Sequence, residues 1–243
     1  MTLVFVHGSG CTHHVWSYQT SFFNNSIALD LPGHPNGNAL TDIEAMSQWL
    51  LSVLEERNLH DVVLVGHSLG SAVVLKAALD TATSKTESHR VATSEISRIK
   101  GLVLIGAGAK LKVMPQFLDA LTGVVEKGEE FPGFLLAPNQ TLAEPLRTEV
   151  NTAMVKNGAA VTLTDFLICN SFDVMGSLHK VSLPVQLIVG SEDVMTPVKY
   201  SHYLNEQLPN ASLNIIDDGT HLVFAEQPDI VNQCIESFIA NLD

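Results

Sequence analysis

Short runs of consecutive apolar residues alternate along this chain with longer stretches whose apolar positions recur every three or four residues. Leu3-Val-Phe-Val6 predicts a first buried strand. Ile27-Ala-Leu-Asp30 predicts a second, closed by the turn Leu31-Pro32-Gly33. Over residues 41–58 the period becomes helical, with Ile43, Met46, Leu50, Leu51, Val53 and Leu54 on one broad face. Thr41 and Glu44 have the spacing of a capping box at its start. Val62-Val-Leu-Val65 predicts a third strand, and a helix follows over about 69–80. Leu102–Ile105, Val185–Val189 and Ser212–Ile216 predict three more strands, and a last helix covers about 228–241.

Strands of four or five unbroken apolar residues lack the alternation of a half-exposed sheet. Separated by helices, they predict a parallel sheet covered on both faces. Right-handed crossovers then favour a doubly wound α/β layer of about six strands. A chain of 243 residues suits one such domain, residues 1–243. Two stretches break the rhythm. Residues 81–98, rich in Ser, Thr and charge, predict an exposed connection. Residues 110–180 carry helical patterns interrupted by Pro and Gly, and predict a helical cap inserted over the sheet.

Composition narrows the function classes. Apolar residues make up 46% and charged residues 16%, which suits a compact core rather than disorder. The formal net charge is -13, and the basic residues are scattered. A nucleic-acid partner needs clustered cations and is excluded on that ground, as is an anionic membrane surface. No run reaches the roughly 18 apolar residues of a membrane span, and Leu3–Val6 is too short for a signal peptide. The three cysteines, Cys11, Cys169 and Cys234, are widely spaced with no CxxC. That predicts neither a disulfide framework nor a zinc site, and is in keeping with a reducing cytoplasm.

The chemistry concentrates at strand ends. Gly66-His67-Ser68-Leu69-Gly70 sits directly between a predicted strand and a predicted helix, the setting a nucleophile elbow requires. The chain must turn sharply there, so a side chain at 66 or 70 would collide with the turn. His7-Gly8-Ser9-Gly10 ends the first strand, where glycines let backbone N–H groups approach a reacting centre. The N–H groups of Ser9 and Leu69 are therefore the expected oxyanion donors, each worth about 3–4 kcal/mol in such sites. Gly190-Ser-Glu-Asp193 follows the fifth strand, and Asp193 is preferred over Glu192 as the acid because it leads into a helix-starting turn. The blander role for Asp193 is to cap that helix. His221, in Asp217-Asp-Gly-Thr-His221, follows the last strand. Ser68, Asp193 and His221 stand in the order known for Ser…Asp…His hydrolases. Among the other histidines, His7 and His34 read as structural, and His67 as diverging from the serine. His13 and His14 are candidates for the pocket wall, and His60, His89 and His202 read as surface.

Taken together, these positions resemble the α/β-hydrolase superfamily. The matches are His7-Gly8, Trp16, Asp30-Leu-Pro-Gly-His34, Gly66-His-Ser-Leu-Gly70, Gly190 with Asp193, and Gly219 with His221. The stretch around Asp165, Cys169, Asn170, Phe172 and Asp173 is similar to the end of the cap in a bacterial branch of small esterase-like members. The resemblance implies that Ser68 attacks an acyl carbon, His221 removes its proton and Asp193 orients the imidazole. An acyl-enzyme forms and water releases it, with no metal or organic cofactor. Two departures stand out. The antiparallel hairpin that usually precedes the first parallel strand is missing, and serine at 68 disfavours the relatives with an aspartate nucleophile, the haloalkane dehalogenases and epoxide hydrolases.

In the insertion, Leu111, Met114, Phe117, Leu118, Leu121, Phe134, Met154, Phe166 and Met175 are expected to face the sheet, with a minority lining an acyl or alcohol pocket. Few basic residues lie there to clamp a phosphate, so the expected substrate is a small to medium neutral ester and the expected enzyme a carboxylesterase. The same three residues could serve C–C bond hydrolysis, lactone opening, thioester hydrolysis or perhydrolysis. A ligand receptor that keeps the fold is the least favoured alternative. Cys11 and Cys169 read as core fillers, and oligomeric state stays open.

Overall fold

The computed structural model of the chain describes residues 1–87 and 98–242. Its centre is one six-stranded sheet in the order β2-β1-β3-β4-β5-β6. The strands are β1 Thr2–Val6, β2 Ser26–Leu29, β3 Val62–His67, β4 Ile99–Ile105, β5 Val185–Gly190 and β6 Ala211–Ile216. All neighbours run parallel. A continuous apolar run becomes a central strand here because each face of the sheet has its own helical layer.

Alternate residues of each strand feed two cores. On one face Val4, Val6, Leu64, Leu102, Leu104 and Leu187 pack under α2 (Ile43–Glu56) and α3 (Leu69–Glu87). Met46, Leu50 and Leu54 of α2 are almost completely buried there, and each such side chain contributes about 1.5–3 kcal/mol. On the other face Leu3, Phe5, Val63, Val65, Val103 and Ile188 meet α1 (Ser17–Phe22) and the C-terminal α9 (Pro228–Ala240). Trp16 lies between the rings of Phe5 and Phe224, with centroids 5.0 and 4.2 Å away.

Three local expectations change. The cap of α2 is Asp42, whose carboxylate accepts from the Ala45 N–H at 2.7 Å. The helix begins at Ile43, so the third helical amide belongs to Ala45 and the Thr41–Glu44 box is out of phase by one residue. Glu44 instead lies 3.7 Å from Lys76 on α3. Helix α3 continues to Glu87, past the expected stop near 80. The remainder of the connection expected over 81–98 falls largely on 88–97, outside the described residues.

Between β4 and β5 run the helices α4 (Pro115–Lys127), α5 (Leu146–Asn157) and α6 (Ala159–Ser171), with 3-10 turns at Gly133–Thr141 and Met175–Lys180. Their apolar stripe does not all face the sheet. Leu121, Leu135, Ala159 and Phe166 form a separate small core, while Met114, Phe134 and Met175 are exposed. These helices bury part of their apolar surface against one another, and a cavity remains between them and the strand ends. The β5 strand leads through a loop to α7 (Val198–Gln207), and β6 leads to the short α8 (Val223–Glu226).

Candidate active site

Ser68 sits at the turn from β3 to α3 with φ of 53°, left-handed backbone that a serine adopts only under constraint. The constraint is hydrogen-bonded: the Ser68 N–H donates to the Ile105 carbonyl at 3.0 Å, and Ser71 and Ala72 N–H groups donate to the Ser68 carbonyl. Glycine is required on both sides. A Cβ at 66 would lie 2.4 Å from the Gly70 carbonyl oxygen, and one at 70 would lie 2.2 Å from that of Val6. The chain closes on itself and on β1 at this elbow.

Because β1 and β3 are neighbours, the loop His7–Gly10 lies beside the elbow, as its glycines require. A Cβ at Gly8 would lie 3.1 Å from that of Ser68. Among the described residues no group accepts a hydrogen bond from the Ser9 or the Leu69 N–H.

Asp193 is buried at the end of β5 and divides its oxygens between two tasks. Oδ1 accepts from the Met195 and Thr196 N–H groups at 2.9 and 2.8 Å. Oδ2 accepts from the Thr196 hydroxyl and faces His221 Nδ1, both at 2.8 Å. Asp193 does not cap the next helix, which starts at Val198 after Pro197 with no side-chain cap; its Oδ1 closes the turn before that helix while Oδ2 faces the histidine. Burial alone would raise its pKa, but the hydrogen bond and charge of His221 and the Thr196 donors hold it below the ordinary carboxylate range. Glu192 is exposed and lies at the cavity rim without contacting the imidazole.

His221 is buried, with its Nδ1 turned to Asp193 and its Nε2 without a hydrogen-bond partner. Its loop is tied down twice. The His221 carbonyl faces His67 Nε2 at 2.9 Å, and Glu226 accepts from the Thr220 N–H at 2.8 Å and from its hydroxyl. Ser68 and His221 line the same cavity, and no direct hydrogen bond joins them.

That cavity has a volume of about 550 Å³. Ser9, Ser68 and His221 line it, with Phe117, Phe134 and Phe166 from the stretch between β4 and β5 and Met195 and Tyr200 from the stretch after β5. A recess of about 60 Å³ shares Ser9, Ser68 and His221 with it and is lined also by Cys11, Leu135, Met154 and Leu222. Charge gathers only at the mouth, where Lys112, Lys199 and Glu192 line the wall. Lys199 comes from α7, outside the insertion, and no local sequence signal pointed to it.

The remaining histidines and cysteines take other roles. His7 is fully buried, accepts from the Leu31 N–H at 3.0 Å through Nε2, and is pushed down to about 3 by burial and by His34. Burial and the neighbouring His221 likewise keep His67 well below the usual histidine value. His13 does not line the pocket, because Asp30 holds its ring at 2.8 Å, and His14 stacks on His13. Burial raises the thiols of Cys11 and Cys169 to about 12, which leaves them protonated and unreactive. Among the described residues no group of three or more His, Cys, Asp or Glu side chains is placed to hold a metal ion, and no helix is long and apolar enough to cross a membrane.

The sequence reading missed a second buried pair. His34 Nε2 lies 2.9 Å from Asp165 Oδ2, and that same oxygen accepts from the Gly10 N–H at 2.8 Å. The partners stand 131 positions apart, so nothing local could have joined them.

The chain matches the model of the alpha/beta hydrolase family over residues 3–233. It is 29% identical to a pimeloyl-[acyl-carrier protein] methyl ester esterase of Aromatoleum aromaticum, over 98% of this chain and 97% of that protein. Two solved structures superpose closely. A bromoperoxidase from Bacillus anthracis has a TM-score of 0.83 at 20% identity, covering 98% of this chain and 91% of that one. An esterase from Exiguobacterium antarcticum has a TM-score of 0.80 at 17% identity, covering 99% and 92%.

Proposed function

Starting from a chain that belongs to the alpha/beta hydrolase family, we propose that it is a serine carboxylesterase acting through Ser68, His221 and Asp193. One observation carries the reading. The imidazole of His221 is held at Nδ1 by a carboxylate at 2.8 Å, its Nε2 is buried and unpartnered, and the residue lines the same cavity as Ser68. An Asp193 held ionised fixes the proton on Nδ1 and leaves the Nε2 lone pair for the serine proton.

The steps follow from that arrangement. An ester carbonyl enters the cavity above Ser68, and Oγ attacks its carbon as His221 Nε2 takes the proton. Negative charge collects on the carbonyl oxygen, for which the N–H groups of Ser9 and Leu69 are the donors. The imidazolium, stabilised by Asp193, returns the proton to the leaving alkoxide. Water, deprotonated in turn by His221, attacks the acyl carbon; the bond to Ser68 Oγ breaks, the acid leaves, and the imidazolium returns the proton to Oγ. A small rotation of Ser68 Oγ or arrival of substrate brings serine and imidazole into contact, as catalytic hydrogen bonds often tighten only with substrate bound.

The substrate reading rests on the cavity. An apolar chamber of about 550 Å³ and a recess of about 60 Å³ share Ser9, Ser68 and His221, which suits an ester with one larger and one small apolar group. Glu192 offsets one of the two lysines at the mouth and the rest of the lining is mostly apolar, so a neutral small to medium ester remains the favoured substrate. Residues 110–180 act as the cap of a single domain, contributing the aromatic wall. A panel of p-nitrophenyl esters of rising chain length tests the reading beside Ser68→Ala. Turnover and fluorophosphonate labelling by the wild type alone are expected. A folded wild type silent toward every ester and unlabelled would overturn it, and faster turnover of lactones or thioesters would move the class to one of those.

A further inference from the structure

Two of the cap helices do more than roof the cavity: they grip the loop that carries Ser9 from both sides. From α6, Asp165 Oδ2 accepts the Gly10 N–H at 2.8 Å. From the end of α5, Asn157 Nδ2 donates to the Gly10 carbonyl at 2.8 Å and to that of Cys11 at 3.0 Å. The Ser9 hydroxyl lies 3.7 Å from Cys169 Sγ, again on α6. Gly10 has φ of 68°, and a Cβ there would meet Met154 and Thr162 of the same two helices within 3.2 Å. Asp165 is itself anchored from the sheet side by His34 Nε2 at 2.9 Å, and its other oxygen is buried without a partner.

The geometry points to Asp165 and Asn157 as positioning residues for the oxyanion loop, with His34 as the anchor that fixes Asp165. This rests on the reading of the Ser9 N–H as an oxyanion donor. The Gly10 N–H lies in the peptide plane of the Ser9 carbonyl, one residue from the Ser9 N–H, so hydrogen bonds that fix Gly10 at its N–H and at its carbonyl restrict where the Ser9 backbone can stand. A loop of Gly8, Ser9 and Gly10 has little stiffness of its own. Oxyanion donors count only when they stand close to where charge will develop, and a displacement of about 1 Å can cost about a hundredfold in rate. The cap and the oxyanion hole are on this account one assembly.

The test separates positioning from folding. Asp165→Ala, Asp165→Asn and Asn157→Ala are made beside the wild type, with active sites counted by fluorophosphonate titration carried to completion. Asp165→Ala is expected to lose roughly tenfold to a hundredfold in kcat per titrated site, with KM within about threefold. Asp165→Asn keeps an oxygen for the Gly10 N–H and is expected to recover most of that loss. Asn157→Ala is expected to lose about threefold to tenfold in kcat. A merely structural role would lower the number of titratable sites and leave kcat per site at the wild-type value, which overturns the inference. Should Asp165→Ala fail to fold, Asn157→Ala decides alone, and an unchanged kcat per site overturns it. A wild type that neither hydrolyses esters nor reacts with fluorophosphonate sinks the esterase reading instead.

Discussion

Two buried histidine–carboxylate pairs flank the serine elbow, His221 with Asp193 at 2.8 Å and His34 with Asp165 at 2.9 Å. In length and burial they are nearly the same. They differ in the second ring nitrogen. His34 Nδ1 lies 3.2 Å from the Leu31 carbonyl, so both its nitrogens are engaged and neither reaches open space. His221 Nε2 is buried without a partner, in a residue that lines the cavity. The second nitrogen of His34 is spent on structure, whereas that of His221 has no protein partner, which is what the proposed general base requires. The pair alone does not make the chemistry.

The comparison breaks most sharply in activity. Ser68→Ala and His221→Ala are expected to lose at least about a thousandfold in kcat on short p-nitrophenyl esters, and Asp193→Asn about a thousandfold or more. Equal residual rates in wild type and Ser68→Ala would remove the distinction altogether. Variants of the other pair should show the reverse balance. Asp165→Ala leaves a buried His34 uncompensated, for which the usual cost is about 3–5 kcal/mol. Urea denaturation followed by circular dichroism measures it, and a loss below that of Asp193→Asn would mean that the two pairs are not distinguished in this way.

The pH dependence of stability should also separate them. Burial opposes the charging of His34, but the hydrogen bond and charge of Asp165 outweigh it and hold its pKa above the ordinary 6.5. The folded chain therefore binds the extra proton. The contribution is complete below pH 6.5 and is lost as pH rises through the higher folded value. For Asp193 the folded value is depressed, so its contribution is present above pH 3.8 and is lost as pH falls through that lower value. The stability gap between wild type and Asp165→Asn should accordingly shrink as pH is raised from 6.5, in urea titrations across that range. A gap that widens would reverse the assigned sign. His7, held down to about 3, acts in the other direction: the unfolded chain takes up its proton first, so stability falls as pH drops from 6.5 toward 3.

A third pair provides the lower bound. His13 and Asp30 also meet at 2.8 Å, but their side chains are 44% and 33% exposed. Exposed pairs contribute little, so His13→Ala is expected to cost less than about 1 kcal/mol and to leave ester turnover near the wild-type value. A thermal shift as large as that of Asp165→Ala would mean that burial is not what ranks the three.

Much of this was legible along the chain. Four-residue apolar runs are readable as buried parallel strands because each residue has a fixed face and the helices supply both cores. The elbow is readable because only glycine tolerates a carbonyl at 2.2–2.4 Å from where a Cβ would stand. Ser68, Asp193 and His221 each lie at a strand's carboxyl end, a position set by local sequence. The segment between β4 and β5 was legible as helices but not as an arrangement. Its apolar residues could be counted, yet which of them met the sheet, one another or solvent depended on neighbours distant in sequence. The same holds for Asn157 on Gly10 and for Lys199 at the cavity mouth.

What the sequence determined by itself is therefore periodic or steric: strand and helix order, the elbow, and the residue types at strand ends. These depend on interactions within a few positions, where chain geometry leaves few choices. What the tertiary structure decided is pairing across long separations. It matched His34 with Asp165 over 131 positions and His221 with Asp193 over 28, and left only the second with an imidazole nitrogen that has no hydrogen-bond partner. Hydrogen bonding between distant groups has no period in sequence, because the folded path, and not the spacing, brings the partners within 3 Å.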